Sequence, residues 1–247
     1  MRALLKMTWV EIKLFMREPV AVFFTLAFPL LLLFLFGSIY GNEPSEFLGR
    51  RGSVDLSIPG YIALIIGTIG MIGLPVSLAS YREQGILRRF RATPLRPATV
   101  LGAQVLVQLL VSAIGVILLV LAGWLAFDLQ MPSLPISVVI ATLLSAFSFF
   151  ALSFVLAGLL PTTRTAQAVG TALFYPMLFL SGAALPRQLL PDMLVSISQF
   201  LPLTHVVTLL QDLWLGQGWN IVSTTVLLGL LLVGCVVSAR TFRWDKL

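Results

Sequence analysis

The chain has 247 residues, of which 58% are hydrophobic and 11% are charged, and it carries a formal net charge of +6. Soluble domains have about 25% charged residues, so this composition excludes a soluble globular protein. The only cysteine, Cys235, cannot form an intrachain disulfide bond and therefore says nothing about the redox compartment.

Residues 2–18 have the pattern of an amphipathic helix, with apolar and basic residues recurring at helical spacing. The apolar face consists of Leu5, Trp9, Ile12 and Met16. Such a helix lies in the plane of the membrane interface, where it either anchors the chain or contacts a partner protein. We therefore divide the chain into an interfacial helix, 1–18, and a single membrane domain, 19–247.

Six long apolar stretches follow this helix. A helix of about 20 residues crosses the roughly 30 Å hydrocarbon core of a bilayer, and each stretch is long enough to do so. The sequence therefore predicts an all-α membrane protein with six transmembrane helices. The predicted spans cover residues 20–40, 58–80, 99–127, 134–160, 166–185 and 221–239.

The apolar segment 186–216 differs from the six spans because three prolines, the last of them Pro202, cut it into short pieces. Pieces of about 10–14 residues are typical of re-entrant or interfacial helices. If this segment dips into the membrane and returns, both termini lie in the cytoplasm, together with 13 of the 16 Lys and Arg residues. This distribution follows the positive-inside rule. We therefore predict a helical hairpin on the outer side, between spans 5 and 6, and attribute the basic charge to topology rather than to nucleic acid binding.

Residues that carry chemistry are scarce. His205 is the only histidine, no acidic or basic residue lies in the middle of a predicted span, and the three lysines lack the context of a phosphate-binding loop. The sequence therefore predicts no catalytic residue, cofactor or metal in this chain, and any ATP has to be bound by another chain. We expect a structural role for His205. Gln104 and Gln108 lie one turn apart on the third span, where an interhelical hydrogen bond is more common than a substrate contact.

Residues 81–97, YREQGILRRFRATPLRP, form the one strongly basic segment, which we call the basic island. Burying its five arginines at bilayer depth would cost about 2.5–3.5 kcal/mol each, so the island lies outside the membrane. Ile86, Leu87 and Phe90 form an apolar patch on a short predicted helix, and Gly85 allows a bend before it. Topology alone explains the arginines but not the apolar patch, which favours a docking surface over a solvated loop.

The basic island resembles the RExGTLxRLxxTPL stretch between spans 2 and 3 of type-two ABC exporter permeases. The matching residues are Arg82, Glu83, Gly85, Leu87, Arg89, Thr93, Pro94 and Leu95. The stretch MREPVAVFFTLAFPLLLLFLFG is similar to the start of the family's first span, and FYPMLFLSGAALPRQLLP…QFLPLTH is similar to its outer hairpin. The pattern is most similar to the bacterial drug-resistance branch, typified by daunorubicin exporters.

The resemblance implies a role for the basic island. Permeases of this family pair with each other and with two separate ATPase subunits, which bind ATP and Mg²⁺. The island would be the coupling helix that docks on the ATPase, and the interfacial helix would border the same cleft. The docking residues implied are Arg82, Glu83, Gly85, Ile86, Leu87, Arg89, Phe90 and Thr93.

The resemblance also implies a transport path, formed by spans 1, 2 and 5. Its candidate residues here are Phe23, Phe24, Phe28, Phe174, Tyr175 and Phe179, each of which could instead face lipid or the bundle. The expected function is export of a drug-like or lipid-like substrate across the cytoplasmic membrane of a prokaryote, by a homodimer or a pair of close paralogues. Export of a polysaccharide or lipid-linked glycan is the alternative. An ATP-independent carrier or channel and a structural membrane protein are less favoured.

Overall fold

The computed structural model describes residues 2–44, 51–86, 97–184 and 190–241. Every regular element in these ranges is a helix, and we number them α1 to α9 in chain order. The helices are α1 Arg2–Met16, α2 Pro19–Tyr40, α3 Ser53–Glu83, α4 Pro97–Phe127, α5 Pro135–Leu159, α6 Thr163–Leu180, α7 Asp192–Ser198, α8 Pro202–Trp214 and α9 Ile221–Thr241. The predicted all-α membrane class is confirmed.

Five of the described helices are long and apolar enough to cross a membrane, namely α2, α3, α4, α5 and α9, and the bent pair α7–α8 would make a sixth if it were one span. The fifth predicted span, 166–185, corresponds to α6, which is not among the five helices that are long and apolar enough to cross a membrane. Its 18 residues are about 27 Å long, but Arg164 and Gln167 make its first two turns polar. The polar turns coincide with the functional site described below.

Helix α3 is the centre of the bundle. Its side chains Ile58, Ile62, Ile65 and Leu74 are wholly buried, whereas most other spans expose one face. It packs against α2, α4, α5, α6 and α8. Because the lipid-facing surface of a bundle is apolar as well, this burial reflects close helix packing rather than exclusion of water alone.

Both α2 and α3 contain one turn of wide, π-type helix, at Phe23–Ala27 and Ile69–Gly73. A proline follows each wide turn, Pro29 in α2 and Pro75 in α3. Proline has no N–H to donate to the carbonyl four residues earlier, so the hydrogen-bond ladder shifts by one residue there. The two wide turns lie beside the cavity described in the next section.

The predicted outer hairpin contains the two short helices α7 and α8, which meet at 95° just before Pro202. The first turn of α8 places Leu203 beside Gly67 in the middle of α3, and near its last turn Gln211 donates to the Leu56 carbonyl oxygen at 3.2 Å. Helix α8 therefore runs from the middle of α3 to its first turn. This geometry agrees with a segment that dips in and returns, and its placement in the membrane stays a prediction.

Most of the predicted apolar face of the amphipathic helix α1 does not pack against the bundle, and only Ile12 of that face is partly buried against it. Leu5, Trp9 and Met16 are each about 60% exposed, whereas Thr8 and Glu11 are buried. The exposed face is the one that an interfacial helix presents to lipid. The buried face rests on α4.

Candidate functional site

A cavity of about 510 Å³ lies between α2, α3 and α6, beside the corner where α1 meets α2. Its wall includes the wide turns of α2 and α3, one side of α6 and, from α4, Gln108. Apolar and aromatic side chains dominate the lining. They include Phe15, Phe24, Phe28, Leu64, Ile69, Ile72, Val76, Phe174, Tyr175 and Leu178.

The cavity's polar groups are mostly uncharged. Thr25, Gln108 and Thr171 lie in its wall, whereas the charged side chains Arg17 and Glu18 border it where α1 meets α2. Uncharged hydrogen-bonding groups within an aromatic wall suit an amphipathic molecule, because they orient its polar part while the rings bury its apolar part. Deeper in the cavity, the described wall residues include no charged side chain that could pair with an ionised group of a bound molecule.

Four of the six predicted path residues line this cavity, namely Phe24, Phe28, Phe174 and Tyr175. The rings of Phe24 and Phe28 are 5.7 Å apart, and those of Phe174 and Tyr175 are 5.8 Å apart. Phe23 is not part of the wall, although its ring packs edge-on against Phe24 at 5.3 Å. Phe179 is also outside the wall and is half exposed. The structure thus brings the α2 and α6 aromatics together across one cavity.

The last turn of α3, which is also the first part of the basic island, makes three contacts with other helices. We call Tyr81, Arg82 and Glu83 the α3 junction. The Tyr81 hydroxyl donates a hydrogen bond to the carboxylate of Glu11 in α1. The other oxygen of that carboxylate accepts from Gln104 in α4 at 2.8 Å. The Gln104 prediction of an interhelical hydrogen bond therefore holds, with a partner that the sequence did not suggest.

Arg82 reaches the end of α5. Its guanidinium donates to the carbonyl oxygens of Ala157 at 2.6 Å and Leu160 at 3.2 Å. The last carbonyls of a helix have no partner within the helix and carry its negative dipole end, so a guanidinium fork satisfies them in both geometry and charge.

Glu83 reaches the start of α6. Its carboxylate accepts from the Thr163 backbone N–H at 3.0 Å and from the Thr163 hydroxyl at 2.6 Å. Thr162 and Thr165 form a reciprocal capping box at the same helix start. The carboxylate thus sits at the positive end of the α6 dipole.

The basic island is described only at its edges. Helix α3 ends at Glu83, and Gly85 has a φ of +65°, a conformation that glycine adopts at little cost and that turns the chain away from α3. Ile86 follows this turn. The predicted docking residues Leu87, Arg89, Phe90 and Thr93 lie outside the described residues.

Glu11 is the site residue that sequence analysis missed. It is 8% exposed, and burial raises the pKa of its carboxyl, an effect that hydrogen bonds from Tyr81 and Gln104 partly offset. The available signal was an acidic residue one helical turn from Met7 and from Phe15, in a helix whose other charged residues are basic.

His205 contacts two other segments. Its ring nitrogens lie 2.9 Å from the Gln199 carbonyl oxygen and 3.3 Å from the Ser223 hydroxyl of α9. These contacts agree with the expected structural role. Among the described residues, no three His, Cys, Asp or Glu side chains lie close enough together to hold a metal ion.

Comparison with known proteins identifies relatives across most of the chain. The profile of the family described as ABC-2 type transporter matches residues 2–215. YvfS of Bacillus subtilis (strain 168), named as a transport permease, is 25% identical over 209 residues, which cover 83% of this chain and 82% of YvfS. The inner membrane transport permease YhhJ of Escherichia coli (strain K12) is 26% identical over 217 residues, 83% of this chain and 57% of YhhJ. ABC transporter G family member 20 of Dictyostelium discoideum is 25% identical over 178 residues, 72% of this chain and 24% of that protein.

Proposed function

This chain belongs to the ABC-2 type transporter family, and from that membership we propose that it is the membrane permease subunit of an ATP-driven exporter. The chain itself is not an enzyme. Two copies of it, or one copy and a close paralogue, pair in the inner membrane of a prokaryote. Each binds a separate ATPase subunit, which holds the ATP and Mg²⁺, through the basic island.

The observation that carries the substrate part of this proposal is the cavity between α2, α3 and α6. Its volume of about 510 Å³ falls within the range of about 300–1,000 Å³ that suits a drug-sized ligand. Its aromatic wall and uncharged polar groups favour a hydrophobic or amphipathic molecule. A drug-like or lipid-like substrate therefore fits this cavity better than a long lipid-linked polysaccharide does.

The mechanism that we propose is supported by the position of the cavity and by the end of α3, where the island begins. ATP binding draws the two ATPase subunits together and displaces the docked islands. The displacement passes into the end of α3 and alters the packing of α2, α3 and α6. The cavity then closes on the cytoplasmic side and releases its occupant outward, so that transport depends on the ATP bound by the partner subunit.

Substitution of the cavity wall tests the substrate path. We expect Phe24→Ala and Tyr175→Ala each to lower transport of an amphipathic aromatic dye and of a short-chain fluorescent phospholipid into inverted membrane vesicles. Phe147→Ala is the matched control, because Phe147 is an exposed phenylalanine of α5 outside this wall. Equal transport by all three variants and the parent protein would contradict the assignment of the cavity as the substrate path.

Substitution of the island tests the docking role. We expect Phe90→Ala to reduce co-purification of the ATPase subunit, because the apolar patch of the island supplies the buried part of the interface. Normal retention of the ATPase and normal export in Phe90→Ala would refute docking through this patch.

A further inference from the structure

Three consecutive residues at the end of α3 each contact a different helix. Tyr81 binds Glu11 of α1, Arg82 binds the end of α5, and Glu83 binds the start of α6. Side chains at successive helix positions point about 100° apart, so they can reach three neighbours without competing for one. The end of α3 is therefore held from three sides.

The contacts of Arg82 and Glu83 enclose one short connection. Only residues 160–162 separate α5 from α6. Arg82 binds the carbonyl side of this connection, and Glu83 binds its N–H side at Thr163. The guanidinium of Arg82 faces the negative end of the α5 dipole, and the carboxylate of Glu83 faces the positive end of the α6 dipole. Both contacts therefore resist separation of the connection from α3.

The helix held by Glu83 is the one that carries one wall of the cavity. From Thr163, α6 continues as one helix through Thr171, Phe174 and Tyr175, which line the cavity. Near the middle of the packing between these helices, a Cβ on Gly67 of α3 would lie 2.7 Å from the Phe174 ring, so the two helices are in close contact there as well. A displacement of the α3 end is thus passed to α6 at the junction and along the helix.

We propose that Arg82 and Glu83 are positioning residues that lock the α5–α6 connection to the end of α3, so that movement of the basic island moves the cavity wall on α6. This inference rests on the proposed function for the source of the movement. It assigns both residues to contacts within the chain, where the family resemblance implies contacts with the ATPase. Tyr81 adds α1 to the same moving unit through Glu11.

The test measures movement of α6 in the complex with its ATPase subunit, reconstituted in lipid nanodiscs. In a Cys235→Ser background, Ala172→Cys places a reporter on an exposed position of α6. The rate of its reaction with a maleimide is compared between the ATP-free complex and the complex trapped with ATP and vanadate. We expect the two rates to differ in the parent protein and to become equal in Glu83→Ala.

Two further variants separate a positioning role from a general loss of structure. Thr163→Val removes the hydroxyl donor from the opposite side of the same contact, and we expect its effect not to add to that of Glu83→Ala. Gln84→Ala is the matched control, because Gln84 is exposed, follows Glu83 and donates to Ser80 of its own helix at 2.8 Å. It should keep the difference between the two rates.

If Glu83→Ala and Thr163→Val keep the parent's difference in rates, the proposed lock does not transmit movement. If Glu83→Ala loses the ATPase subunit while Gln84→Ala keeps it, Glu83 contacts the ATPase and the inference is overturned. If the parent complex itself shows no difference between the two states, the proposed ATP-driven function fails, and the inference fails with it.

Discussion

Gly67 shows how a single residue sets the distance between two helices. The sequence places Ala63, Gly67, Gly73 and Ser77 at small-residue spacing on α3, a pattern that allows close packing within the bundle or between subunits. In the structure, these small residues face different surroundings. Gly67 faces Phe174 and Leu203 inside the bundle, whereas Gly73 and Ser77 border the cavity.

We expect Gly67→Val to lower the thermal stability of the protein in detergent, because its side chain would collide with the Phe174 ring. Overpacking of this kind typically costs about 1–3 kcal/mol. Gly229→Val in α9 is the control, since no atom outside its own helix lies within 4 Å of a Cβ at that position. A melting temperature for Gly67→Val equal to that of the control would show that α6 is not packed against α3 as described.

We expect the buried carboxyl of Glu11 to make the stability of the folded protein depend on pH. Burial raises the pKa of its carboxyl, so in the window between the ordinary glutamate pKa and the raised one the folded state binds more protons than the unfolded state. Stability contributed by this group is therefore complete below the ordinary pKa and is lost as pH rises through the raised one. The neighbouring charged group is Glu18, and Tyr81 and Gln104 contact the carboxyl directly.

We expect the parent protein to lose stability relative to Glu11→Gln as pH rises above the usual range of a glutamate carboxyl. Thermal unfolding of both proteins between about pH 4 and 8 measures this difference. A parent protein that gains stability over Glu11→Gln with rising pH would contradict the raised pKa.

At the scale of elements, one asparagine joins three helices at the end of the bundle opposite the α3 junction. The Asn42 side-chain oxygen accepts from the backbone N–H groups of Val54 and Asp55 at 3.1 Å each, and so caps α3 from outside. Its amide nitrogen donates to the Asp55 carboxylate at 3.2 Å and to the Phe127 carbonyl oxygen of α4 at 3.0 Å. A Cβ at position 52 would overlap this amide, which explains the glycine there.

We expect Asn42→Ala to destabilise the protein by at least about 1–3 kcal/mol, because it leaves two N–H groups of α3 without an acceptor. The measurement is thermal unfolding in detergent, with Glu43→Ala at the exposed neighbouring position as the control. If the two variants unfolded at the same temperature, Asn42 would not be the link between α2, α3 and α4.

At the scale of the whole molecule, the two polar networks lie at opposite ends of α3. The α3 junction joins α1, α4, α5 and α6 at the end that the positive-inside rule assigns to the cytoplasm. The Asn42 network and the bond from the Trp214 indole N–H to the Gln130 carbonyl oxygen lie at the other end. Between them the contacts of α3 are mostly apolar and include a hydrogen bond from the Ser153 hydroxyl of α5 to the Gly70 carbonyl oxygen.

This arrangement predicts opposite accessibility for two exposed positions. In a Cys235→Ser background, a membrane-impermeant maleimide added to intact spheroplasts should label Glu43→Cys but not Gln84→Cys. Permeabilised cells, in which both positions should react, provide the control. Labelling of Gln84→Cys in intact spheroplasts would reverse the predicted orientation of the bundle.

The sequence by itself determined the membrane class, the main helices and the short pieces of the hairpin. These follow from local properties, namely the length of an apolar run, the positions of proline and the cost of placing charge in a bilayer. The motif in the basic island also indicated the family without any knowledge of the fold. The resemblance to that family grouped the α2 and α6 aromatics as candidates for the transport path.

Only the tertiary structure decided which groups meet. It placed Phe24, Phe28, Phe174 and Tyr175 around one cavity and left Phe179 outside its wall. It also showed that Arg82 and Glu83, which the motif alone assigns to a partner, contact α5 and α6. The physical reason is that spacing along a helix fixes the direction of a side chain but not its neighbour. That neighbour depends on how the helices pack.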